Sequence, residues 1–248
     1  MPKTLNGLVG DVGGTHARFA VASIGAGRPK IEHVAVFKAS DYATGHAAFR
    51  AYCGGLSGAD PEFAVIAAAG PIHAGEVVFT NNTAWRFNET AIRNEGGLKA
   101  ARLINDFTAQ ALAIDLLGPK DLRRLGPKGA PDRNATAAIF GPGTGFGAAA
   151  LVTDGRARAV LTCEGGHASF APSDDIELEI VRRLAARYGR VSVERVLSGP
   201  GLLNLYQSLC AIEGRSAPLQ EPDQVTKAGL AGDKDAMAAL ARFCAILG

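Results

Sequence analysis

The sequence has little cysteine, no long apolar run and no block of one charge. Its four cysteines lie far apart without a Cys-x-x-Cys pair, which fits a reducing compartment. A formal net charge of +2 without basic blocks gives no indication of nucleic acid or an anionic membrane as a partner. Apolar runs such as residues 63–69 are too short to cross a membrane, and no cationic and apolar leader precedes Leu5. We therefore expect a soluble, cytoplasmic protein.

The apolar residues that are present make up 47% of the 248 residues, enough to bury a sizeable core in one large or two modest domains. The closely spaced strands of the first third predict an antiparallel meander: residues 7–12, 17–24 and 31–38. The unbroken apolar run 63–69 is typical of a strand covered on both faces. Further predicted elements are helices over 42–53 and from Asn88, and strands over 76–82 and 102–106. A mixed sheet with crossover helices predicts an α/β fold.

A glycine turn follows the first strand. Asp11 ends an apolar run, and Gly13, Gly14 and Thr15 lead into the next strand. The glycines allow positive φ and let neighbouring N–H groups point outward together, which is one way to cradle a phosphate. Asp11 is placed to hold Mg²⁺ through water, because this ion prefers hard oxygen ligands and keeps its waters. The alternative is a hairpin that only turns the chain, with Asp11 as a turn residue.

Two polar residues, Asn105 and Asp106, stand where an apolar strand stops and a predicted helix over residues 107–114 begins. In open α/β sheets the carboxyl ends of strands face the ligand crevice, so this pair is a candidate for chemistry. Asp106 would also serve well as the N-cap of the helix. Both roles stay open, since one residue can fill them together.

A second strand, glycine turn and strand covers residues 137–153 and echoes the first. Two related hairpins suggest a duplicated architecture in which two domains face a nucleotide. The Gly-x-Gly-x-x-Ala pattern from Gly143 also fits a loose dinucleotide fingerprint, with Glu164 at about the expected distance. That fingerprint must open a helix, whereas the chain turns again at Asp154, so a nicotinamide cofactor is disfavoured. The chain has no Gly-x-x-x-x-Gly-Lys-Ser/Thr motif, which excludes an ordinary P-loop.

Three further polar residues lie in glycine-rich surroundings. Glu164 and His167 belong to the loop 163–172, and Glu194 precedes a Ser-Gly-Pro-Gly turn. A metal pair at Glu164 and His167 is disfavoured because no matching third ligand is found. Carboxylates, an amide and an imidazole suit a polyhydroxylated ligand, whose hydroxyls both donate and accept hydrogen bonds.

The helix after this loop is predicted to be structural. Ser173 is its expected cap and Asp174 its first residue. Ile176, Ile180 and Leu184 line one face of it.

Five long motifs, correctly ordered from Leu8 onward, resemble those of bacterial glucokinase, the ATP:glucose 6-phosphotransferase of the actin-like/hexokinase superfamily. They are Gly-Asp-Val-Gly-Gly-Thr (10–15), Ile-Asn-Asp-Phe-Thr-Ala (104–109), Gly-Pro-Gly-Thr-Gly-Phe-Gly (141–147), Glu-Gly-Gly-His-x-x-Phe-Ala-Pro (164–172) and Glu-Arg-Val-Leu-Ser-Gly-Pro-Gly-Leu (194–202). The resemblance implies an α/β, two-domain actin-like ATPase fold with a ribonuclease-H-like core in each half and an interdomain cleft. Residues 1–115 would form the smaller domain and residues 116–248 the larger one.

The resemblance also implies the reaction and the residue roles. The γ-phosphoryl group of Mg-ATP would pass to the 6-hydroxyl of glucose, with Asp106 as the catalytic base and Asp11 as the Mg²⁺ residue. The residues that would bind glucose are Asn105, Asp106, Glu164, His167 and Glu194. The residues that would contact ATP are Gly10, Asp11, Val12, Gly13, Gly14, Thr15, Gly143, Thr144 and Gly145.

Two departures from the family pattern stand beside these expectations. His16 occupies a position next to the phosphate turn where the family often has Asn. Family members also continue past Gly248, with a Gly-Gly segment near the adenosine and a last helix that returns to the N-terminal domain. A non-catalytic sugar-binding or regulatory protein of the same fold, another ATPase and a kinase of another hexose are therefore kept as alternatives. Glucose and ATP are the expected partners, and the oligomeric state stays open, with a homodimer among the alternatives.

Overall fold

The structure, a computed structural model, describes residues 5–58, 60–79, 82–126, 129, 132 and 134–248. The chain forms two compact units, Met1–Pro131 and Asp132–Gly248. In the first unit the strands are β1 (Leu5–Val12), β2 (His16–Ile24), β3 (Lys30–Lys38), β4 (Phe63–Ala68), β5 (Ile72–His73), β6 (Glu76–Phe79), β7 (Asn82–Asn88) and β8 (Ala100–Asn105). Its helices are α1 (Gly45–Gly54), α2 (Glu89–Glu95) and α3 (Asp106–Ala113).

A five-stranded sheet with the order β3-β2-β1-β4-β8 carries the first unit. Strands β1, β2 and β3 form the predicted antiparallel meander, and β4 lies between β1 and β8, parallel to both. Four of the six residues of β4 are fully buried, which confirms the prediction of a covered strand. Helices α1 and α2 contribute Phe49 and Ile92 to a core against Leu8, Phe19 and Ile66 of the sheet.

The first helix begins later than predicted. Thr44 is its N-cap, because the Thr44 hydroxyl accepts a hydrogen bond from the N–H of Ala47 at 3.1 Å. The preceding residues Ala39–Asp41 form a separate short 3-10 turn. The prediction that Asn88 opens the next helix is confirmed, since its side chain accepts from the N–H of Ala91.

A second, three-stranded antiparallel sheet in this unit consists of β5, β6 and β7. The single strand predicted over residues 76–82 is therefore wrong in extent, since β6 ends at Phe79 and a separate strand begins at Asn82; residues 80 and 81 lie outside the described residues. Strand β7 carries Trp85, which is fully buried and donates from Nε1 to the carbonyl of Gly13 at 3.0 Å. This bond ties the first glycine turn to the core of the unit.

The second unit repeats the hairpin of the first. Its strands β9 (Ala137–Pro142), β10 (Phe146–Thr153) and β11 (Arg158–Cys163) form an antiparallel sheet with β10 in the centre. Its helices are α4 (Asp175–Tyr188), α5 (Gly199–Ile212), α6 (Pro222–Leu230) and α7 (Lys234–Leu247). Because β10 follows the glycine turn as a strand, the dinucleotide fingerprint lacks the helix that it needs. In the part of the chain that the structure describes, no helix is long and apolar enough to span a membrane.

The predicted cap of α4 is wrong by one residue. Asp174 is the N-cap, since its carboxylate accepts from the N–H of Glu177 at 2.7 Å, while Ser173 donates its N–H and its hydroxyl to the Glu177 carboxylate. Ile180 and Leu184 are buried, but Ile176 is 43% exposed. The first turn of the helix buries Glu177 instead, which pairs at 3.0 Å with Arg242 of α7.

We expect Trp85→Phe to lower the free energy of unfolding by about 2 kcal/mol, because it leaves a void and breaks the bond to the Gly13 carbonyl. Exchange of the Gly13 N–H, which donates to the His16 carbonyl at 2.9 Å, should also accelerate by more than the global loss explains. Phe79→Leu removes volume from the same core without touching the turn and serves as the control. Denaturant unfolding measures the loss of stability, and amide exchange measures the opening of the turn. Equal exchange rates of the Gly13 N–H in the two variants would contradict the role of Trp85 as an anchor of the turn.

Candidate functional site

The first glycine turn leaves backbone donors unpaired at its tip. The N–H of Gly13 donates to the carbonyl of His16, and the Thr15 carbonyl accepts from the N–H of Ala39 at 2.8 Å. Among the described residues, no acceptor meets the N–H groups of Gly14 and Thr15. Two adjacent free N–H groups are the donors that a phosphate needs.

The glycines serve this turn by leaving space. Neither Gly13 nor Gly14 has a positive φ, so the prediction that the turn needs glycine for a positive φ is wrong. A Cβ on Gly14 would meet no atom within 4 Å, which means that a ligand can approach the backbone where a side chain would otherwise stand. Gly10 lies within β1, where a Cβ would come 2.7 Å from Ile66, and the side chain of Val12 is buried in the core. The predicted contacts of these residues with ATP stay predictions.

A cavity of about 370 Å³ in the first unit brings together the predicted base and the predicted Mg²⁺ residue. Asp11 of β1, Arg18 of β2 and Asp106 of α3 line it, with apolar atoms of Val9 and Ile31 nearby. Nη1 of Arg18 pairs with Oδ2 of Asp11 at 2.9 Å, and both side chains are more than half exposed. The Asp11 carboxylate is therefore accessible to solvent and paired with the Arg18 guanidinium.

Arg18 is a site residue that the sequence analysis missed. A signal was available, because the hairpin pairs Val12 with Ala17, and the next pair outward is Asp11 with Arg18. A carboxylate and a guanidinium directly opposite each other on one face of an antiparallel pair attract each other.

Asp106 is the first residue of α3 and is half-buried. Burial raises the pKa of its carboxyl group and the negative charge of Asp11 raises it further, against the lowering effect of the Phe107 N–H. The N-cap is Asn105, whose Oδ1 accepts from the N–H groups of Phe107 and Thr108 at 2.9 and 3.2 Å. The capping role that the sequence left open for Asp106 thus belongs to its neighbour, and a hydrogen bond from the Asn105 side chain also acts to lower the pKa of Asp106.

The second glycine turn, in the second unit, has the same donor pattern. The N–H of Gly143 donates to the carbonyl of Gly145, and that of Phe146 donates to Oε2 of Glu194 at 2.9 Å. Within the described residues, the N–H groups of Thr144 and Gly145 have no acceptor. A Cβ on Gly143 would again meet open space. Each turn therefore presents two free donors, in an opening that a side chain would fill.

Glu164 and His167 lie beside this turn and are mostly exposed. Residues Gly165–His167 form a 3-10 turn, with Nε2 of His167 3.7 Å from Oε2 of Glu164. The turn packs against β10 so closely that a Cβ on Gly166 would overlap the carbonyl oxygen of Phe146. The second unit thus collects all of its predicted sugar and phosphate residues at one end of β10.

The described residues contain no group of three or more His, Cys, Asp or Glu side chains that could hold a metal ion. Glu164 and His167 have no third side chain of these types beside them among those residues. The Mg²⁺ role of Asp11 stays a prediction, one that a single carboxylate is able to meet because this ion is commonly bound by one or two carboxylates together with waters and substrate phosphates.

Comparison with known proteins bears out the resemblance. The family model described as Glucokinase matches residues 8–248. A glucokinase of Caulobacter sp. (strain K31) is 48% identical over 242 residues, which are 98% of this chain and 73% of that protein, and one of Caulobacter vibrioides is 46% identical over 244 residues with the same coverage. The crystal structure of a glucokinase from an Antarctic psychrotroph matches with a TM-score of 0.84 at 34% identity, over 98% of this chain and 76% of that one. The predicted fold of the actin-like sugar kinases is confirmed.

We expect the pKa of Asp106 to lie above the ordinary aspartate value of about 3.9 and to fall in Asp11→Asn, because that change removes a neighbouring negative charge. A titration of the Asp106 carboxyl ¹³C shift measures both values. Asp41→Asn, a change at an exposed aspartate outside the cavity, is the control and should leave the titration unchanged. If Asp106 is the base, kcat/KM falls as pH drops through this raised pKa. An identical Asp106 titration in wild type and Asp11→Asn would show that the two carboxylates do not interact.

Proposed function

We propose that this chain, which belongs to the glucokinase family, transfers the γ-phosphoryl group of Mg-ATP to the 6-hydroxyl of glucose and releases glucose 6-phosphate and ADP. The observation that carries the proposal is the cavity shared by Asp11 and Asp106. Phosphoryl transfer asks a protein mainly for positioning and charge stabilisation, together with a group that accepts the proton of the attacking hydroxyl. In the cell the reaction would open glycolysis in the cytoplasm.

Asp106 acts as the general base in this proposal. Its half-buried position raises the pKa of the carboxyl group, which makes the ionised form a better proton acceptor than an exposed aspartate. Asn105 supports this role, because it caps α3 with Oδ1 and fixes the residue that follows it. The NH₂ group of Asn105 has two N–H donors, so one is available for a sugar oxygen while the other faces the Asp106 carboxylate.

The two glycine turns would bind the phosphates. The free N–H groups of Gly14, Thr15, Thr144 and Gly145 support this role, as do the openings at Gly14 and Gly143. Asp11 would hold Mg²⁺ through water; when bound, the ion neutralises charge on the phosphates.

The sugar hydroxyls would bind Glu164, His167 and Glu194. Glu164 and His167 keep about two-thirds of their side chains exposed, at 67% and 60%, so their polar atoms are available to a ligand. Together with Asn105 and Asp106 they offer both acceptors and donors, as a polyhydroxylated ligand requires.

Asp106→Asn is expected to lower kcat by at least about 10²-fold, because a general base typically contributes that much or more, while glucose still binds. A coupled assay gives kcat, and calorimetry gives the glucose affinity. Asp41→Asn should leave both near wild type. A near-normal kcat in Asp106→Asn would remove this residue from the mechanism.

Glu164→Ala and His167→Ala should each weaken glucose binding by at least about tenfold, since a site built for a hydroxyl loses a paired group. Nucleotide affinity should change much less. Glu179→Ala, at an α4 carboxylate paired with Arg183, is the matched surface control. Unchanged glucose affinity in both site variants would place the sugar site elsewhere. If the unmodified protein binds glucose but does not phosphorylate it, the non-catalytic alternative is favoured.

A further inference from the structure

We infer that Glu194 positions the second glycine turn, in addition to its role toward the sugar, and thereby couples sugar binding to nucleotide binding. This inference rests on the proposed function for the ligands involved. The positioning step itself rests on contacts within the second unit.

The carboxylate of Glu194 lies directly against the turn. Its Oε2 accepts from the N–H of Phe146 at 2.9 Å, although 48 residues separate the two positions. The same oxygen lies too close to the position of a Cβ on Gly145 for both to fit, so a side chain there would displace the carboxylate. Gly145 has no positive φ, so backbone conformation does not require glycine at this position. The space that the Glu194 carboxylate occupies does require it.

The backbone of Glu194 is itself fixed. It lies in the short 3-10 turn Val193–Arg195, and its carbonyl accepts from the hydroxyl of Ser198 at 2.7 Å. Ser198 is the N-cap of α5, and the N–H of Gly199 donates to the carbonyl of Gly143 at 2.8 Å. The turn is therefore held at one end by the start of α5 and at the other by the Glu194 side chain.

This arrangement decides which donors the turn presents. With the N–H of Gly143 bonded to Gly145 and that of Phe146 bonded to Glu194, the unpaired donors in this described turn are those of Thr144 and Gly145. Without the carboxylate, the Phe146 N–H needs another acceptor, and the turn is free to rearrange around it. An ordered pair of free donors is what a phosphate requires.

The second carboxylate oxygen is left for the sugar. Across the described residues Oε1 of half-buried Glu194 has no hydrogen-bond partner. A sugar hydroxyl that donates to Oε1 stabilises the same side-chain position that places Oε2 on Phe146. Each ligand then favours the turn conformation that the other needs, and such coupling is reciprocal.

The direct test needs no ligand. Exchange of the Phe146 N–H in the ligand-free protein should accelerate at least about tenfold in Glu194→Ala, because its acceptor is lost. Glu164→Ala, which removes a carboxylate without a bond to the turn, should leave this exchange unchanged. Glu194→Gln should restore most of the protection, since the amide oxygen can accept from Phe146. Unchanged Phe146 exchange in Glu194→Ala would overturn the inference whatever the protein phosphorylates.

Binding measurements test the coupling. In calorimetry with Mg-ADP and no sugar, Glu194→Ala should bind at least about tenfold more weakly, which corresponds to loss of one hydrogen bond to a charged group. Glu194→Gln should stay within about threefold of wild type for Mg-ADP while it weakens glucose. Glu164→Ala should weaken glucose only. Wild-type affinity of Glu194→Ala for Mg-ADP would overturn the coupling, whereas a wild-type protein that neither binds nor phosphorylates glucose would overturn the proposed function instead.

A double-mutant cycle keeps the test valid if one variant is poorly folded. Gly145→Ala should expel the Glu194 carboxylate and weaken Mg-ADP about as much as Glu194→Ala does. The double variant should lose little more than either single variant, because both changes break one interaction. Fully additive losses in Mg-ADP affinity would show that the two residues act separately and would overturn the inference.

Discussion

Behind the free N–H groups at the tip of each glycine turn, a side chain from a distant part of the sequence binds the turn's backbone. In the first turn the indole of Trp85 holds the carbonyl of Gly13, and in the second the carboxylate of Glu194 holds the N–H of Phe146. Backbone N–H and C=O groups are normally hydrogen-bonded. A turn can therefore hold one conformation with its tip N–H groups free when protein groups bond its other backbone atoms. The two units meet this requirement with different side chains, a buried aromatic ring in one and a half-buried carboxylate in the other.

The chemistry of the first unit depends in the same way on where a helix begins. Asn105 ends β8 and caps α3, so the first free N–H groups of the helix are taken by an amide oxygen. Asp106 then enters the cavity that also holds Asp11, with its pKa raised by burial and by that neighbouring charge. Asn105 supplies the cap, so Asp106 does not have to fill both of the roles that the sequence left open for it.

Much of the fold follows from apolar runs, and the residues that were missed act through tertiary contacts. The strands of the meander and the covered strand β4 are found as predicted. In β4 the continuous apolar run reflects burial directly, whereas Ile31, Val34 and Val36 of β3 are exposed, so their pattern indicates a strand but not a buried face. The cap of α4 was misplaced by one residue, since Ser173 and Asp174 are both good caps and only the bond to Glu177 distinguishes them. The hydrogen bond from Trp85 to the Gly13 carbonyl joins residues 72 positions apart, and no local sequence pattern predicts it.

Two motifs of the second unit are linked by a spatial constraint that their separate sequences do not predict. Gly145 belongs to a turn assigned to phosphate and Glu194 to a segment assigned to sugar, yet a side chain at Gly145 and the Glu194 carboxylate cannot occupy the same space. In the inferred arrangement, a sugar hydroxyl bound to Oε1 of Glu194 helps to hold the turn. A nucleotide that binds without sugar meets a turn that lacks this interaction. The fully ordered turn is then favoured when the hydroxyl is bound. Since water competes with the sugar hydroxyl for the phosphoryl group, such coupling would protect ATP from hydrolysis.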